Sequence, residues 1–202
     1  MPKIVDKKEK REKILEAAIS VFAKKGTAKT KISEIAEAAQ IGKGTIYEYF
    51  RSKDEIFISA FDYVIKKAED FAASRLSPIK DPLLKLRTYL RVWKEIMQTE
   101  LKDYMEIMLD FWAEGIRNKE HPATFSLKKI YDENRDMLQS ILDECVAQEK
   151  IHPVNTFIVA SIILGAMDGL MLQWIIDHEI FSAEESMNEL ESVILRGLIK
   201  KA

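Results

Sequence analysis

The sequence has few of the residues that build disulfide frameworks or metal sites. Its 202 residues include a single cysteine, so no disulfide can form within the chain, and no apolar signal segment opens it. We therefore expect a cytoplasmic protein. Its three histidines lie 31 and 26 residues apart, so none pairs at the one-turn spacing of a helical metal site. Glycine-rich phosphate loops and nucleophile elbows are also missing, and we expect neither an enzyme nor a metal or other cofactor.

Glycine and proline are scarce as well, with seven and five residues, and no long stretch alternates polar and apolar residues as a strand would. Apolar residues recur at helical spacing nearly throughout, which predicts an all-α chain of about nine helices. The first is predicted at about 7–25, the fourth to about 74, the sixth at about 101–117, the seventh at about 123–148 and the ninth at about 183–200. Asp81 is predicted to cap the fifth helix, and Pro153 to open the eighth.

One apolar run, Phe157–Ile176, is long enough to cross a membrane. It contains Asp168, whose charge costs roughly 2.5–3.5 kcal/mol at the centre of a spanning helix. Neither flank carries the clustered lysine and arginine residues that orient such helices. We therefore expect this helix to lie between other helices or between two subunits, and not in a membrane.

Residues 22–55 predict two short helices joined by a tight turn at residues 40–42. Ser33 can cap the first of these helices. The residues expected to face inward are Ile35, Ala36, Ala39, Ile46 and Phe50. Helices joined so closely cross steeply, as in a helix-turn-helix that places its second helix in the major groove of DNA.

The charges are distributed as a DNA-binding head would require. Residues 1–53 carry 13 Lys/Arg against 7 Asp/Glu, a balance of +6, and the remaining residues carry 18 against 26, a balance of −8. A locally basic domain matters more for phosphate contact than the charge of the whole chain, which is −2. Alone, the pattern would also fit an ordinary solvated surface.

Several motifs together resemble one known family. They are Ile14-Leu15-x-Ala17-Ala18, Phe22 with Gly26, Thr30-x-Ile32-x-x-Ile35-Ala36, and Gly44-Thr45-Ile46-Tyr47-x-Tyr49-Phe50-x-x-Lys53-Asp54-Glu55. In these residues the sequence resembles the TetR family of bacterial transcriptional repressors. The resemblance implies an N-terminal three-helix helix-turn-helix domain over 1–53, a connecting helix over 54–74, and a C-terminal helical ligand-binding and dimerisation domain over 75–202.

The outward side of the second motif helix is predicted to read DNA. With Ile46 and Phe50 inward, Gly44 and Glu48 point most directly outward. Gly44 lets the backbone approach the groove. Glu48 can accept a hydrogen bond from a cytosine amino group or pair with a nearby lysine. The resemblance implies base or phosphate contacts by the lysine, threonine and tyrosine side chains nearby. The predicted DNA-binding set is Thr30, Lys31, Lys43, Gly44, Thr45, Tyr47, Glu48, Tyr49 and Lys53.

The turn departs from the family pattern. It reads Gln40-Ile41-Gly42, whereas Gly-Val-Ser is usual in the family. Gln40 therefore occupies a position that often needs positive φ, at a cost of roughly 1 kcal/mol. This departure changes which operator sequence we expect the protein to bind, but we still expect it to bind DNA.

Three small residues, Ser161, Gly165 and Gly169, recur every four positions along the eighth helix. Each glycine inside a helix costs about 0.5–1 kcal/mol, so a smooth strip indicates a closely packed neighbour. The resemblance implies a homodimer whose interface is built from the eighth and ninth helices of two subunits. Packing within the same chain is the alternative use of the strip.

The C-terminal domain carries an aromatic and methionine surface suited to a small apolar or aromatic effector. The predicted effector-binding residues are Trp93, Met97, Tyr104, Met105, Met108, Trp112, Phe125, Met167, Met171 and Trp174. Any one of them could equally be ordinary core. Possible polar anchors are Asp110, Asn134, Asp168 and Gln173. The absence of an acidic cluster among these proposed effector-binding residues argues mildly against a cationic drug.

These features predict a homodimeric, ligand-responsive regulator that binds a double-stranded DNA operator. We expect a repressor released from a palindrome by its effector. An activator, or a repressor that needs a corepressor, would use the same DNA-binding and effector-binding residues, but effector binding would have the opposite effect on transcription. A helical interaction module without DNA binding is a more distant alternative, which would not require the basic head.

Overall fold

The described chain is helical, as predicted. The computed structural model describes residues 7–98, 102–177 and 179–200, with the side chains at positions 97, 98, 102–106, 124 and 125 outside that description. Within these ranges the chain forms nine helices and no strand. They are α1 (Lys7–Lys25), α2 (Ile32–Ala38), α3 (Lys43–Tyr47), α4 (Lys53–Leu76), α5 (Pro82–Gln98), α6 (Lys102–Arg117), α7 (Pro122–Ala147), α8 (Thr156–Ile176) and α9 (Ala183–Leu198).

Two helix ends are set by the residues that the sequence indicates. α1 ends because Gly26 takes a left-handed conformation, with φ 73°. The Asp81 carboxylate caps α5 by accepting hydrogen bonds from the backbone N–H groups of Leu83 and Leu84. In both cases a local signal decides where the helix begins or ends.

Two other helix starts differ from the prediction. α2 begins at Ile32, so Ser33 lies inside the helix and does not cap it. α8 begins at Thr156, three residues after Pro153, because the side chain of Asn155 accepts a hydrogen bond from a backbone N–H of its first turn.

The helices form two compact units, and their division differs from the predicted domain boundary. The first unit comprises Met1–Lys67 and Lys102–Leu127, and the second comprises Ala68–Leu101 and Lys128–Ala202. α6 therefore belongs to the same unit as the helix-turn-helix, although the resemblance implies a domain over 75–202 that contains it. In the first unit, α6 lies against α1.

Aromatic side chains fix α6 in the first unit. Phe111 of α6 stacks on Phe61 and packs at a tilt against Phe57. Phe57 in turn meets Phe22 of α1 edge-on. All four rings are buried, and each contributes roughly 1.5–3 kcal/mol of burial free energy. These contacts were not visible in the helical spacing of α6 alone.

The second unit packs α5 and α8 against α9. Arg91 of α5 donates two hydrogen bonds to the carboxylate of Glu191 in α9, at 2.8 and 2.9 Å. Among the described helices, only α8 is long and apolar enough to cross a membrane by length and composition. One side of α8 is buried in the unit, and the other side exposes apolar residues. The exposed ones are Phe157, Ile158, Ile162, Leu172 and Ile176.

Candidate nucleic-acid interface and effector site

α2 and α3 form the predicted helix-turn-helix. The five inward residues named above, Ile35, Ala36, Ala39, Ile46 and Phe50, are all buried. Gln40 has φ 56°, as its place in the turn predicts. The N–H of Ile41 donates to the carbonyl of Ala36 at 2.9 Å and closes the turn. The guanidinium of Arg11 lies 5.0 Å from the centre of the Phe50 ring and covers the inner side of the motif.

The outward face of α3 is open. Lys43, Gly44, Tyr47 and Glu48 are exposed, and 51% of the Tyr47 surface is accessible. No atom of another described part of the chain lies within 4 Å of the point where a Cβ on Gly44 would sit. Thr45 and Tyr49 are half-buried at the edges of this face. A duplex can therefore approach α3 without displacing the described chain.

Thr30 and Lys53 are used inside the protein. Thr30 is 2% exposed, and its hydroxyl donates to the carbonyl of Gly26 at 2.9 Å. The Thr30 hydroxyl is therefore engaged within the turn, and its expected phosphate contact stays a prediction. The ammonium of Lys53 donates to the carbonyls of Thr27 at 2.7 Å and Ala28 at 3.3 Å. Lys31, in contrast, is exposed.

Asp110 contacts the same turn. The backbone N–H and the hydroxyl of Thr27 both donate to one carboxylate oxygen of Asp110, at 2.7 and 2.8 Å. That oxygen of Asp110 is therefore occupied by the turn that follows α1, and a role for this residue as an effector anchor stays a prediction. Gln173, a second expected anchor, donates its side-chain amide to the carbonyl of Gly169.

Two tyrosines and a carboxylate lie close together in the second unit. The hydroxyl of Tyr131 donates to Asp168 at 2.7 Å, and that of Tyr89 donates to Asn134 at 3.1 Å. Burial raises the pKa of Asp168, and the hydrogen bond from Tyr131 partly opposes that rise. Burial also raises the pKa of Tyr89 to about 12, with Trp93 opposing the rise and the charge of Asp168 adding to it.

The predicted effector-site residues are divided between the units. Met108 and Trp112 belong to the first, while Trp93, Met167, Met171 and Trp174 belong to the second. Met167 and Met171 are buried, and the three tryptophans are half-buried. The side chains of Met97, Tyr104, Met105 and Phe125 lie outside the described residues. Sequence reasoning missed Tyr89 and Tyr131, although Tyr89 precedes Trp93 by one helical turn.

The strip of small residues on α8 has no neighbour within the described chain at its glycines. An added Cβ on Gly165 or Gly169 would meet no described atom within 4 Å beyond the adjacent residues and the backbone of its own helix turn. The Ser161 hydroxyl donates to the carbonyl of Phe157 and accepts from Arg135. The glycines therefore lie on the open side of α8, among its exposed apolar residues.

Comparison with known families decides the classification. A model of bacterial regulatory proteins of the tetR family matches residues 14–60. A model of the C-terminal part of BetI-type transcriptional repressors matches residues 88–197, which is more than half of the chain. The chain belongs to the TetR family. It is a ligand-responsive, DNA-binding transcriptional regulator and not an enzyme, so the predicted family and function are confirmed.

Relatives cover nearly the whole chain. The TetR-family regulator BetI from Pectobacterium atrosepticum is 26% identical over 191 residues, which cover 93% of each protein. The regulator AcrR from Shigella flexneri is 24% identical, with 93% of this chain and 88% of AcrR covered. A transcriptional regulator from Saccharomonospora viridis, solved in complex with choline, has the same fold. Its TM-score is 0.87 at 22% identity, over 96% of this chain and 100% of its own.

Proposed function

We propose that this TetR-family regulator acts in the cytoplasm as a homodimeric repressor of a palindromic operator. The observation that carries the proposal is the open outward face of α3, held in place by the buried Ile46 and Phe50. Two copies related by a two-fold axis would place two such faces in successive major grooves, roughly 34–36 Å apart. Effector binding would release the repressor by favouring a different spacing of the two faces.

Within this face, each exposed residue has a distinct part. Lys43 and the hydroxyl groups of Tyr47 and Tyr49 would contact phosphates, which set the register on DNA. Gly44 would allow the close approach of the backbone, and Thr45 and Glu48 would meet base edges. Thr30 and Lys53 would act indirectly, by shaping the turn that precedes α2.

DNA selection from a random-sequence pool tests this function. The wild-type protein should enrich a palindrome, and its affinity for that duplex should fall steeply with salt. Lys43→Ala should remove one phosphate contact per subunit and reduce the salt slope of the dimer by about two. The exposed Lys119 lies in the turn between α6 and α7, so Lys119→Ala is the matched control. Enrichment of no sequence, or equal slopes for both variants, would contradict the proposal.

The open side of α8 supports the dimer. Its exposed apolar residues follow the same helical face as Gly165 and Gly169. An apolar face of this length on a water-exposed helix is typical of a subunit interface. The packing alternative within the chain has no support from the glycines, since no described atom approaches them.

The effector proposal combines the aromatic surface with one carboxylate. Asp168 is partly buried, accepts a hydrogen bond from Tyr131 and raises the pKa of Tyr89 by its charge. A carboxylate among aromatic rings suits an organic cation with alkyl groups, because cation–π attraction and charge pairing act together. A structural relative was solved with choline, whose ammonium is such a group. We therefore propose an organic cation of this kind in place of a neutral apolar effector.

Calorimetric titration can separate the two effector classes. Choline and its neutral carbon isostere 3,3-dimethylbutan-1-ol have nearly the same shape but differ in charge. Choline should bind more tightly, and Asp168→Asn should weaken choline about tenfold or more while leaving the neutral compound unchanged. Equal binding of the two compounds would restore the neutral apolar effector and overturn the cation proposal.

A further inference from the structure

The turn between α1 and α2 is held from outside by two helices of the same unit. Thr27 presents three polar groups, and all three have partners. Its N–H and hydroxyl donate to one oxygen of Asp110 in α6, at 2.7 and 2.8 Å. Its carbonyl accepts from the ammonium of Lys53, the first residue of α4, at 2.7 Å. The turn therefore links α6 to the start of α4.

The backbone is shaped to accept this carboxylate. Gly26 has φ 73°, and a Cβ at that position would lie 3.6 Å from the bonded Asp110 oxygen. The Gly26 carbonyl is also bonded, because the Thr30 hydroxyl donates to it at 2.9 Å. Hydrogen bonds to a carboxylate are stronger than neutral ones, and these two are part-buried. The turn is thus a specific structure with α6 as one of its supports.

We propose that Asp110 is a positioning residue that connects the place of α6 to the DNA-binding geometry of the helix-turn-helix. While the two Thr27 bonds are formed, the turn holds α2 by its first residues and holds Lys53 at the start of α4. A displacement of α6 breaks both bonds and releases the turn. This inference concerns the regulation of the proposed function and rests on operator binding.

The sign of one substitution distinguishes positioning from simple electrostatics. Removal of a negative charge near a DNA-binding face should strengthen DNA binding if charge alone matters. Asp110→Ala should instead weaken binding to the selected palindrome by about tenfold, because two charge-assisted hydrogen bonds are lost. Asp110→Asn has no charge but keeps an oxygen for both donors, so it should bind within about twofold of wild type.

The experiment uses the full chain and compares operator affinity by fluorescence anisotropy. Glu114 lies one turn further along α6 and is exposed, so Glu114→Ala is the matched carboxylate control and should not weaken binding. Thr27→Val removes only the hydroxyl donor and should lose less operator affinity than Asp110→Ala. The double variant Thr27→Val/Asp110→Ala should lose less binding free energy than the sum of the two single losses, since both substitutions remove the same contact.

The outcomes are distinguishable from failure of the function itself. If the wild-type protein selects no duplex, operator binding fails and the proposed function with it. If wild type binds but Asp110→Ala binds equally or more tightly, the positioning role of Asp110 is overturned. If Asp110→Ala does not fold, the operator affinities of wild type, Asp110→Asn and Thr27→Val still test the positioning role and should decrease in that order. Equal affinity of Thr27→Val and wild type would contradict the role.

Discussion

Replacing the two α8 glycines by alanine should stabilise the single chain and weaken the dimer. Apart from the adjacent residues and the backbone of the same helix turn, no described atom lies within 4 Å of a Cβ added at Gly165 or Gly169. Inside the chain the substitution therefore costs no packing, and the higher helix propensity of alanine contributes about 0.5–1 kcal/mol at each site. Against a closely packed partner helix, the same methyl groups would overpack the interface by about 1–3 kcal/mol.

Two-fold symmetry doubles the effect at the interface. Each substitution appears twice in a symmetric dimer, so even the smallest overpacking cost amounts to about 2 kcal/mol per site in the dimer. That cost corresponds to a roughly thirtyfold weaker dimer. The gain in helix propensity acts on monomer and dimer alike and does not offset it. A more stable monomer together with a weaker dimer is a result that only a packed subunit interface at these glycines would give.

Sedimentation equilibrium and thermal unfolding at several protein concentrations measure both quantities. Gly165→Ala and Gly169→Ala should raise the Tm of dilute, dissociated protein and raise the dimer Kd. Gly44→Ala is the matched control, because its Cβ also meets no described atom but lies on α3. It should stabilise the chain and leave the dimer Kd unchanged. An unchanged Kd in the α8 variants, or a lower Tm of their monomer, would refute the reasoning.

Three further results follow from individual residues. Gly44→Ala should weaken operator binding in anisotropy titrations although the protein folds, because its methyl group faces the groove. Choline affinity should fall as pH falls, since burial raises the pKa of Asp168 and protonation removes its charge; Tyr131→Phe should move that fall to higher pH in calorimetry. Hydrogen bonds from Tyr63 and Lys67 lower the pKa of Glu16 in the folded protein. These bonds therefore stabilise the fold above the unfolded pKa near 4.5, and this stabilisation is lost as pH falls through the folded pKa. In urea unfolding at pH 7, the free energy of unfolding of wild type should therefore exceed that of Tyr63→Phe by under about 1 kcal/mol. The difference should vanish in acid.

The features that could be predicted from the sequence are those fixed by local physics. α1 ends at the left-handed Gly26. α5 starts after Asp81, whose carboxylate accepts hydrogen bonds from the backbone N–H groups two and three residues later. The inward positions of α2 and α3 follow from helical spacing. The positive φ of Gln40 follows from its place in the turn.

The features that could not be predicted depend on residues far apart in the chain. Thr27 and Asp110 are separated by 83 residues, and spacing within either helix gives no sign that they meet. The stack of Phe61 on Phe111 likewise fixes α6 in the first unit by a contact between distant segments. The domain over 75–202 that the resemblance implies contains α6, whereas the contacts of α6 place it in the first compact unit.

The motif position of a residue and its role differ when its polar atoms are already used. Thr30 stands where the family resemblance implies a phosphate contact, yet its hydroxyl is bonded inside the turn and its surface is buried. Lys43 and Tyr47 stand in the same motif with exposed side chains. A hydrogen bond to a phosphate requires a donor that can reach the duplex without breaking an existing bond. Lys43 and Tyr47 meet that requirement as they stand, whereas the Thr30 hydroxyl would first have to leave its bond within the turn that Asp110 and Lys53 also contact.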